Sequence, residues 1–234
     1  YYGLYPDHNT YHWDTFDSSM ADIVATGAEP IPSICFKPRV LFPTVDQRIT
    51  DPNSYAEWAE LVYQLVTHCL QMGFGIHHWE IGNEPDAGEP GGCPYLFTPD
   101  GYVRYYAHTA AAILHADPTA KIGGPALGSF NQNNAIGTAL ITAAAAGDVP
   151  LDFYSWHGYS DDAAAFCGAV NDVKAKLAPH PRLSHVETMI TEWNFDLGQT
   201  HPPLEFQPAF ILEATRHFRQ AGLSAAHYYQ DRKE

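Results

Sequence analysis

Ile76-His77-His78-Trp79-Glu80-Ile81-Gly82-Asn83-Glu84-Pro85-Asp86 is the stretch that decides the reading of this chain. Ile76–Gly82 reads as a strand, and Gly82 and Pro85 mark where it gives way to a loop. A helix pattern precedes it over Asn53–Met72. There Trp58, Leu61, Val62, Leu65, Val66, Cys69 and Leu70 recur at i, i+3, i+4 spacing and form one inward face. Asp51 is the expected cap of that helix, Pro52 its first-turn residue and Gly73 its stop. Thr98-Pro99 opens the next helix in the same way. Strand and helix therefore alternate around this stretch, and alternation of this kind builds parallel sheets.

The pattern extends in both directions. Strands are expected at Pro30–Phe36, Ile76–Gly82, Lys121–Pro125, Leu151–His157, Val186–Glu192 and Ser224–Tyr229. Helices are expected at Asp17–Thr26, Asn53–Met72, Pro99–Ala116, Asn134–Ala146, Ala163–Leu177 and Pro208–Ala221. A closed barrel and an open doubly wound sheet both fit this order. The chain has no G-x-G-x-x-G turn and no Walker A loop, which argues against nucleotide-binding versions. In either architecture ligands meet the carboxyl ends of the strands.

Two of those ends carry a carboxylate. One strand delivers Asn83-Glu84-Pro85, and another delivers Glu192-Trp193-Asn194. Two carboxyls on one rim suit glycosidic cleavage. One protonates the leaving oxygen, and the other attacks the anomeric carbon or activates water. Glu80 shares the strand parity of Glu84 and is expected one layer deeper, as a structural residue near the site.

Trp79–Asp86 resembles the acid/base strand of clan A glycoside hydrolases, and the nearest resemblance is to family 39. Tyr11-His12-Trp13-Asp14, Ile122-Gly123-Gly124-Pro125-Ala126, Asp152–Tyr159 and Ile190–Asn194 are similar to further segments of that family. The resemblance implies an α/β fold, a (β/α)8 TIM barrel, and a retaining reaction on a β-xyloside or a related sugar. It makes Glu84 the general acid/base, Glu192 the nucleophile and Asn83 a ligand of the sugar's 2-hydroxyl. His157 and Tyr159 are expected donors to Glu192 or to the sugar. Trp193 and Tyr228, or its neighbour Tyr229, are candidates to stack on a sugar ring. Phe36 is read first as packing and second as a pocket wall. Related pentosides, iduronides and exopolysaccharides are alternative substrates, and a carbohydrate-binding barrel without turnover is the non-enzymatic alternative.

Composition narrows the partners. Twelve Lys and Arg against 27 Asp and Glu give a net charge of −15 over 234 residues. So acidic a chain repels phosphate backbones, and nucleic acid and anionic membrane are poor partners. The same acidity favours a neutral glycoside or oligosaccharide, although Lys37 and Arg39 leave a carboxylated sugar open. No apolar run reaches the roughly 18–20 residues of a membrane helix, and a soluble protein is expected.

No cofactor or metal is expected. The His8-x-x-x-His12 spacing lacks a carboxylate partner of the metalloprotease type, and His77 and His78 would face opposite sides of a strand. Among the four cysteines, Cys35 and Cys69 read as core thiols, while Cys93 and Cys167 lie in or near loops and could pair. Tyr1–Asn9 has neither a basic nor an apolar leader region, so secreted and cytoplasmic locations stay open. A barrel of this type takes about 250 residues. Residues 1–234 are accordingly expected to form one catalytic barrel domain truncated at both ends, with strands three to eight present and the first two strands, their first helix and the last helix missing.

Overall fold

The computed structural model describes residues 3–128, 130, 133–195 and 206–229. Six helices and six strands alternate: α1 (Asp14–Ala25), β1 (Ser33–Ile34), α2 (Tyr55–Met72), β2 (His78–Ile81), α3 (Pro99–Ala116), β3 (Lys121–Leu127), α4 (Ala135–Ala146), β4 (Phe153–Tyr159), α5 (Ala165–Leu177), β5 (Glu187–Asn194), α6 (Phe206–Ala221) and β6 (Ala225–Tyr228). The strands form one sheet in the order β1-β2-β3-β4-β5-β6, and every neighbouring pair is parallel. That order never reverses, as a doubly wound sheet would require. Right-handed crossovers in an unreversed order put their helices on one face. In keeping with this, α2 packs on α3, α3 on α4 and α5 on α6. The architecture is α/β: six strands of a TIM barrel with their helices outside.

An aromatic layer joins the helices to the sheet. Trp58, Trp79, Tyr95, Tyr102, Tyr105 and Tyr106 are all buried. Their polar atoms are largely satisfied, as burial demands. The phenols of α3 donate to backbone carbonyls: Tyr102 to Ile81 at 2.5 Å, Tyr105 to Ile34 at 3.1 Å and Tyr106 to Pro150 at 3.0 Å. The first two bonds clamp the carboxyl ends of β1 and β2, beside which the site forms. Inside α2 and α3, Trp58 Nε1 donates to Thr109 Oγ1 at 2.9 Å.

Most element boundaries differ from the sequence expectation by one to three residues, and those of β1, α2 and α1 show why. β1 has only two ladder residues rather than Pro30–Phe36, because Pro30 and Pro32 offer no N–H; Pro32 serves as acceptor alone, taking Glu80 N at 3.0 Å. α2 starts at Tyr55, and Ser54 caps it by accepting from Glu57 N at 3.2 Å. Asp51 does not cap it. Its carboxylate binds Arg104 at 2.7 Å and Tyr55 at 2.7 Å instead, which holds it below the usual carboxylate range against the opposing effect of burial. α1 begins at Asp14, where Trp13 stacks on His68 with ring centroids 4.1 Å apart. Gly73 ends α2 in the left-handed conformation that a side chain disfavours.

The cysteine expectation needs correction. Cys93 does not approach Cys167; its sulfur lies 3.4 Å from Cys35 Sγ. Cys167 sits on α5, where it accepts from Asn171 Nδ2 at 3.8 Å. Sequence separation hides this, since Cys35 lies just past β1 and Cys93 in the loop that follows β2. Among the described residues no helix is long and apolar enough to cross a membrane.

Candidate active site

Glu84 follows β2 in a backbone that local sequence alone would not select. Its φ is +43°, an uncommon value for a residue with a Cβ. Neighbouring structure holds it there. Glu84 N donates to Ala126 O at 2.8 Å, and Ala126 itself has φ +53° at a register shift in β3. Ser155 Oγ of β4 accepts from Ala126 N at 3.1 Å, so three successive strands fix the turn. Asp86, two residues on, accepts from Gly128 N and from Asn134 Nδ2, both at 2.9 Å, which ties the loop to the start of α4.

β4 and β5 supply the opposite side. His157 pairs in register with Glu192, and Tyr159 with Asn194. His157 and Tyr159 are two residues apart and share a face. His157 Nδ1 is 2.8 Å from Glu84 Oε1 and 3.8 Å from Glu192 Oε2. The Tyr159 hydroxyl donates to Glu192 Oε1. His157 is only 2% exposed, whereas Glu84 and Glu192 keep 13% and 22% side-chain exposure and remain reachable.

Electrostatics follow from this packing. Burial works to lower the His157 pKa, but the hydrogen bond to Glu84 and the charges of Glu192 and Glu80 outweigh it, and the net shift is upward. Tyr159 is pushed up by burial and by its bond to Glu192, so it stays a phenol and a donor. Glu80 lies one layer deeper, 4% exposed. Burial raises its carboxyl pKa against the Ser155 and Thr191 hydroxyls and the His157 charge. Glu80 Oε1 and Thr191 Oγ1 have no well-formed hydrogen bond among the described residues.

Two glycines make the room in which the Glu84 side chain lies. A Cβ on Gly91, at the end of the short 3₁₀ turn Glu89–Gly91, would land on Glu84 Oε2. A Cβ on Gly128 would lie 3.2 Å from Glu84 Cδ. Neither glycine stood out in the sequence, and nothing in it marked Asp86 as a tie to α4, because clearance and loop ties leave no local pattern.

The remaining sequence candidates are distributed unevenly. Asn83 lies beside Glu84, partly buried. Trp193 is not in the pocket. It is 3% exposed and turned to the helices, its ring centroid 4.9 Å from Phe218 and 5.8 Å from Phe166. Tyr228 pairs in register with Trp193 and packs on the same outer side at 5.0 Å. The stacking expectation for both is corrected by strand parity: Glu192 faces inward, so its neighbour faces out. Tyr229 instead approaches Tyr159, with centroids 6.4 Å apart. Phe36 packs on Trp58 at 5.3 Å. Among the described residues, Glu84, His157 and Glu192 are also the group whose ligand atoms, all within 4.8 Å of one another, a cation would meet.

Residues 7–197 match the sequence pattern of glycosyl hydrolases family 39. The chain belongs to that family. A β-xylosidase of Caldicellulosiruptor saccharolyticus is 27% identical over 221 residues, covering 84% of this chain and 44% of that protein. A crystal structure of a glucosidase from Croceicoccus marinus superimposes with a TM-score of 0.79 at 21% identity, over 96% of this chain and 47% of that one. A monomeric β-xylosidase from Caulobacter crescentus gives 0.73 at 19% identity, over 94% and 49%. The family 39 chain thus spans about half the length of these relatives, and its likeness to the two solved structures is one of fold.

Proposed function

We propose that this chain carries the catalytic centre of a retaining glycoside hydrolase that cleaves a β-xyloside-like, uncharged sugar. The observation that carries the reading is the separation of the two glutamates: the Glu84–His157–Glu192 group brings one oxygen of each carboxyl within 4.8 Å. Retaining enzymes place their carboxyls about 5–5.5 Å apart, whereas inverting enzymes leave roughly 6.5–9.5 Å for a water molecule. β-Xylosidases among the relatives support the sugar class.

In this reading Glu192 attacks the anomeric carbon while Glu84 protonates the departing oxygen. A glycosyl ester on Glu192 results. Glu84, now a carboxylate, removes a proton from water, which attacks the same carbon and releases the sugar with its configuration retained. The Tyr159 hydroxyl holds Glu192 Oε1, leaving Oε2 for attack. His157 holds Glu84 Oε1, so the proton of the resting acid falls to Oε2. Asn83 is placed to meet the 2-hydroxyl. Lys37 donates to Asp46 O at 2.6 Å and Pro94 O at 3.4 Å, so its ammonium is engaged by backbone, which favours an uncharged sugar.

We also propose that the six strands are strands three to eight of an eight-stranded barrel. Among the described residues β1 and β6 each pair on one side only, and such edges call for partners.

The test is hydrolysis of xylobiose or an alkyl β-xyloside, whose leaving group needs the acid's proton, with the product anomer read by NMR. Retention is expected, with Glu84→Gln and Glu192→Gln each lowering kcat/KM by about 10²–10⁴-fold or more. An inverted product, or undiminished turnover in either variant, would refute the assignment.

A further inference from the structure

Besides the catalytic cluster, the molecule brings a second pair of reactive groups together. Cys35, just past β1, and Cys93, just past the Glu89–Gly91 turn, are 58 residues apart in sequence, yet their sulfurs are 3.4 Å apart. A disulfide needs about 2.05 Å, so closure requires roughly 1.4 Å of approach, within reach of side-chain rotation. We propose that Cys35 and Cys93 are a redox-active dithiol that closes into a disulfide, cross-linking the end of β1 to the loop that carries Glu84.

The surroundings fit that chemistry. Cys93 lines an open cavity of about 210 Å³ together with Lys37, Asp46, Gln47 and Glu89. Cys93 is 1% exposed at the wall of that cavity, and Cys35 is half-buried. The hydrogen bond from Cys35 lowers the Cys93 pKa, against the effect of burial, while the same bond and burial raise that of Cys35. The Lys37 ammonium also favours the Cys93 thiolate, as do the backbone hydrogen bonds from Tyr95 and Asn83, while the Glu84 carboxylate opposes it. Cys93 is therefore the attacking sulfur and Cys35 the resolving one. The Cys93 thiolate attacks one sulfur of a low-molecular-weight disulfide, expels a thiolate and forms a mixed disulfide. Cys35, losing its proton, then attacks the Cys93 sulfur and expels the second thiolate. The two cysteines are oxidised, the reagent is reduced to two thiols, and the two cysteine protons go to the leaving groups.

The segment so anchored is already one unit. Ala87 N and Gly88 N donate to Glu84 O at 3.0 and 3.1 Å, Gly91 N and Cys93 N to Gly88 O at 2.9 and 3.0 Å. Gly82 N donates to Ile34 O at 3.2 Å at its near end. Cys35 Sγ also lies 3.9 Å from Asn83 O. Oxidation would fasten the far end of a loop that β1 already holds at the near end, with Asn83 and Glu84 between.

The experiment exposes the folded, intact protein to oxidised glutathione, quenches with acid, alkylates the remaining thiols and maps peptides by mass. The four thiols are expected to fall to two, with a Cys35–Cys93 cross-linked peptide that dithiothreitol reverses. Linkage is expected at least about tenfold faster in native buffer than in urea, since folding raises the effective concentration. A Cys69→Ser/Cys167→Ser double variant should react alike, and amide exchange over residues 84–93 should slow on oxidation. Four persisting thiols, a glutathione adduct that never resolves, a cross-link through Cys69 or Cys167, or equal rates in urea would each overturn the proposal. None of these readouts depends on glycosidase activity.

Discussion

Gly91→Ala isolates what the clearance around Glu84 does for catalysis. The new Cβ would coincide with Glu84 Oε2 and sit 2.9 Å from both Glu84 Cδ and Ala87 Cβ. Carbon atoms rest about 3.5–4.0 Å apart, so the carboxyl must move by more than about 1 Å. It has little space on the other side, where a Cβ at Gly128 would already stand 3.2 Å from Glu84 Cδ. Movement also breaks the 2.8 Å bond to His157. A misplacement of about 1 Å costs on the order of 10²-fold, and a general acid contributes about 10²–10⁴-fold in all. Gly91→Ala should therefore lower kcat/KM on an alkyl xyloside or xylobiose by about 10²–10³-fold. Formation of the glycosyl ester from a dinitrophenyl xyloside, whose leaving group needs no proton, should be far less affected. Folding should survive, because the closest clash is with the end of the Glu84 side chain, although the Ala87 Cβ contact also asks the backbone to shift by a few tenths of an ångström; a loss of about 1–3 kcal/mol is expected in urea unfolding. Gly168→Ala is the control, since nothing lies within 4 Å of its added Cβ. Activity of Gly91→Ala within threefold of wild type in a folded protein would refute the role given to this glycine.

Three other outcomes follow from the same geometry. Tyr159→Phe removes the donor to Glu192 Oε1 and should lower kcat/KM by about 10–150-fold, the worth of a hydrogen bond to a charged group; unchanged kinetics would count against Glu192 as nucleophile. His157 has a raised folded-state pKa, so its contribution to stability is complete below the unfolded value of about 6.5 and is lost as pH rises through the folded one. The stability deficit of His157→Asn should thus be larger at about pH 6 than at about pH 9, and the opposite trend in denaturant titrations would contradict the pairing with Glu84. Trp193→Ala should cost about 3–5 kcal/mol, while Trp193→Phe should leave KM nearly unchanged; a large rise in KM for the Phe variant would restore a sugar-stacking role.

How far the sequence reached can be judged residue by residue. α3 was legible to its boundaries, because Thr98 and Pro99 mark its start and an apolar stripe runs to Ala116. The carboxylates near the carboxyl ends of β2 and β5 were legible as well, the first marked by Gly82 and Pro85 after β2, although β5 runs on to Asn194, two residues past its expected end. Asp51 looked like the cap of α2, and the position of Arg104 on α3 drew it away and left that role to Ser54. Trp193 was misread although the information was present: a residue next to an inward-facing glutamate must face outward. Tyr228 went with it through the β5–β6 register, which shifts between Ile190 and Trp193.

By itself the sequence determined the alternation of strand and helix, hence a parallel sheet with two glutamates on one rim. Those features depend on local periodicity and on turn residues, which act within a few positions along the chain. The tertiary structure decided which side chains meet. His157 reaches Glu84 and Glu192 because register shifts in β4 and β5 place it between them. Cys35 finds Cys93, and Gly91 clears Glu84, because the loop after β2 folds back beside β1. Such contacts depend on register, bulges and loop paths, and a one-residue slip in any of them would exchange the faces of every strand involved.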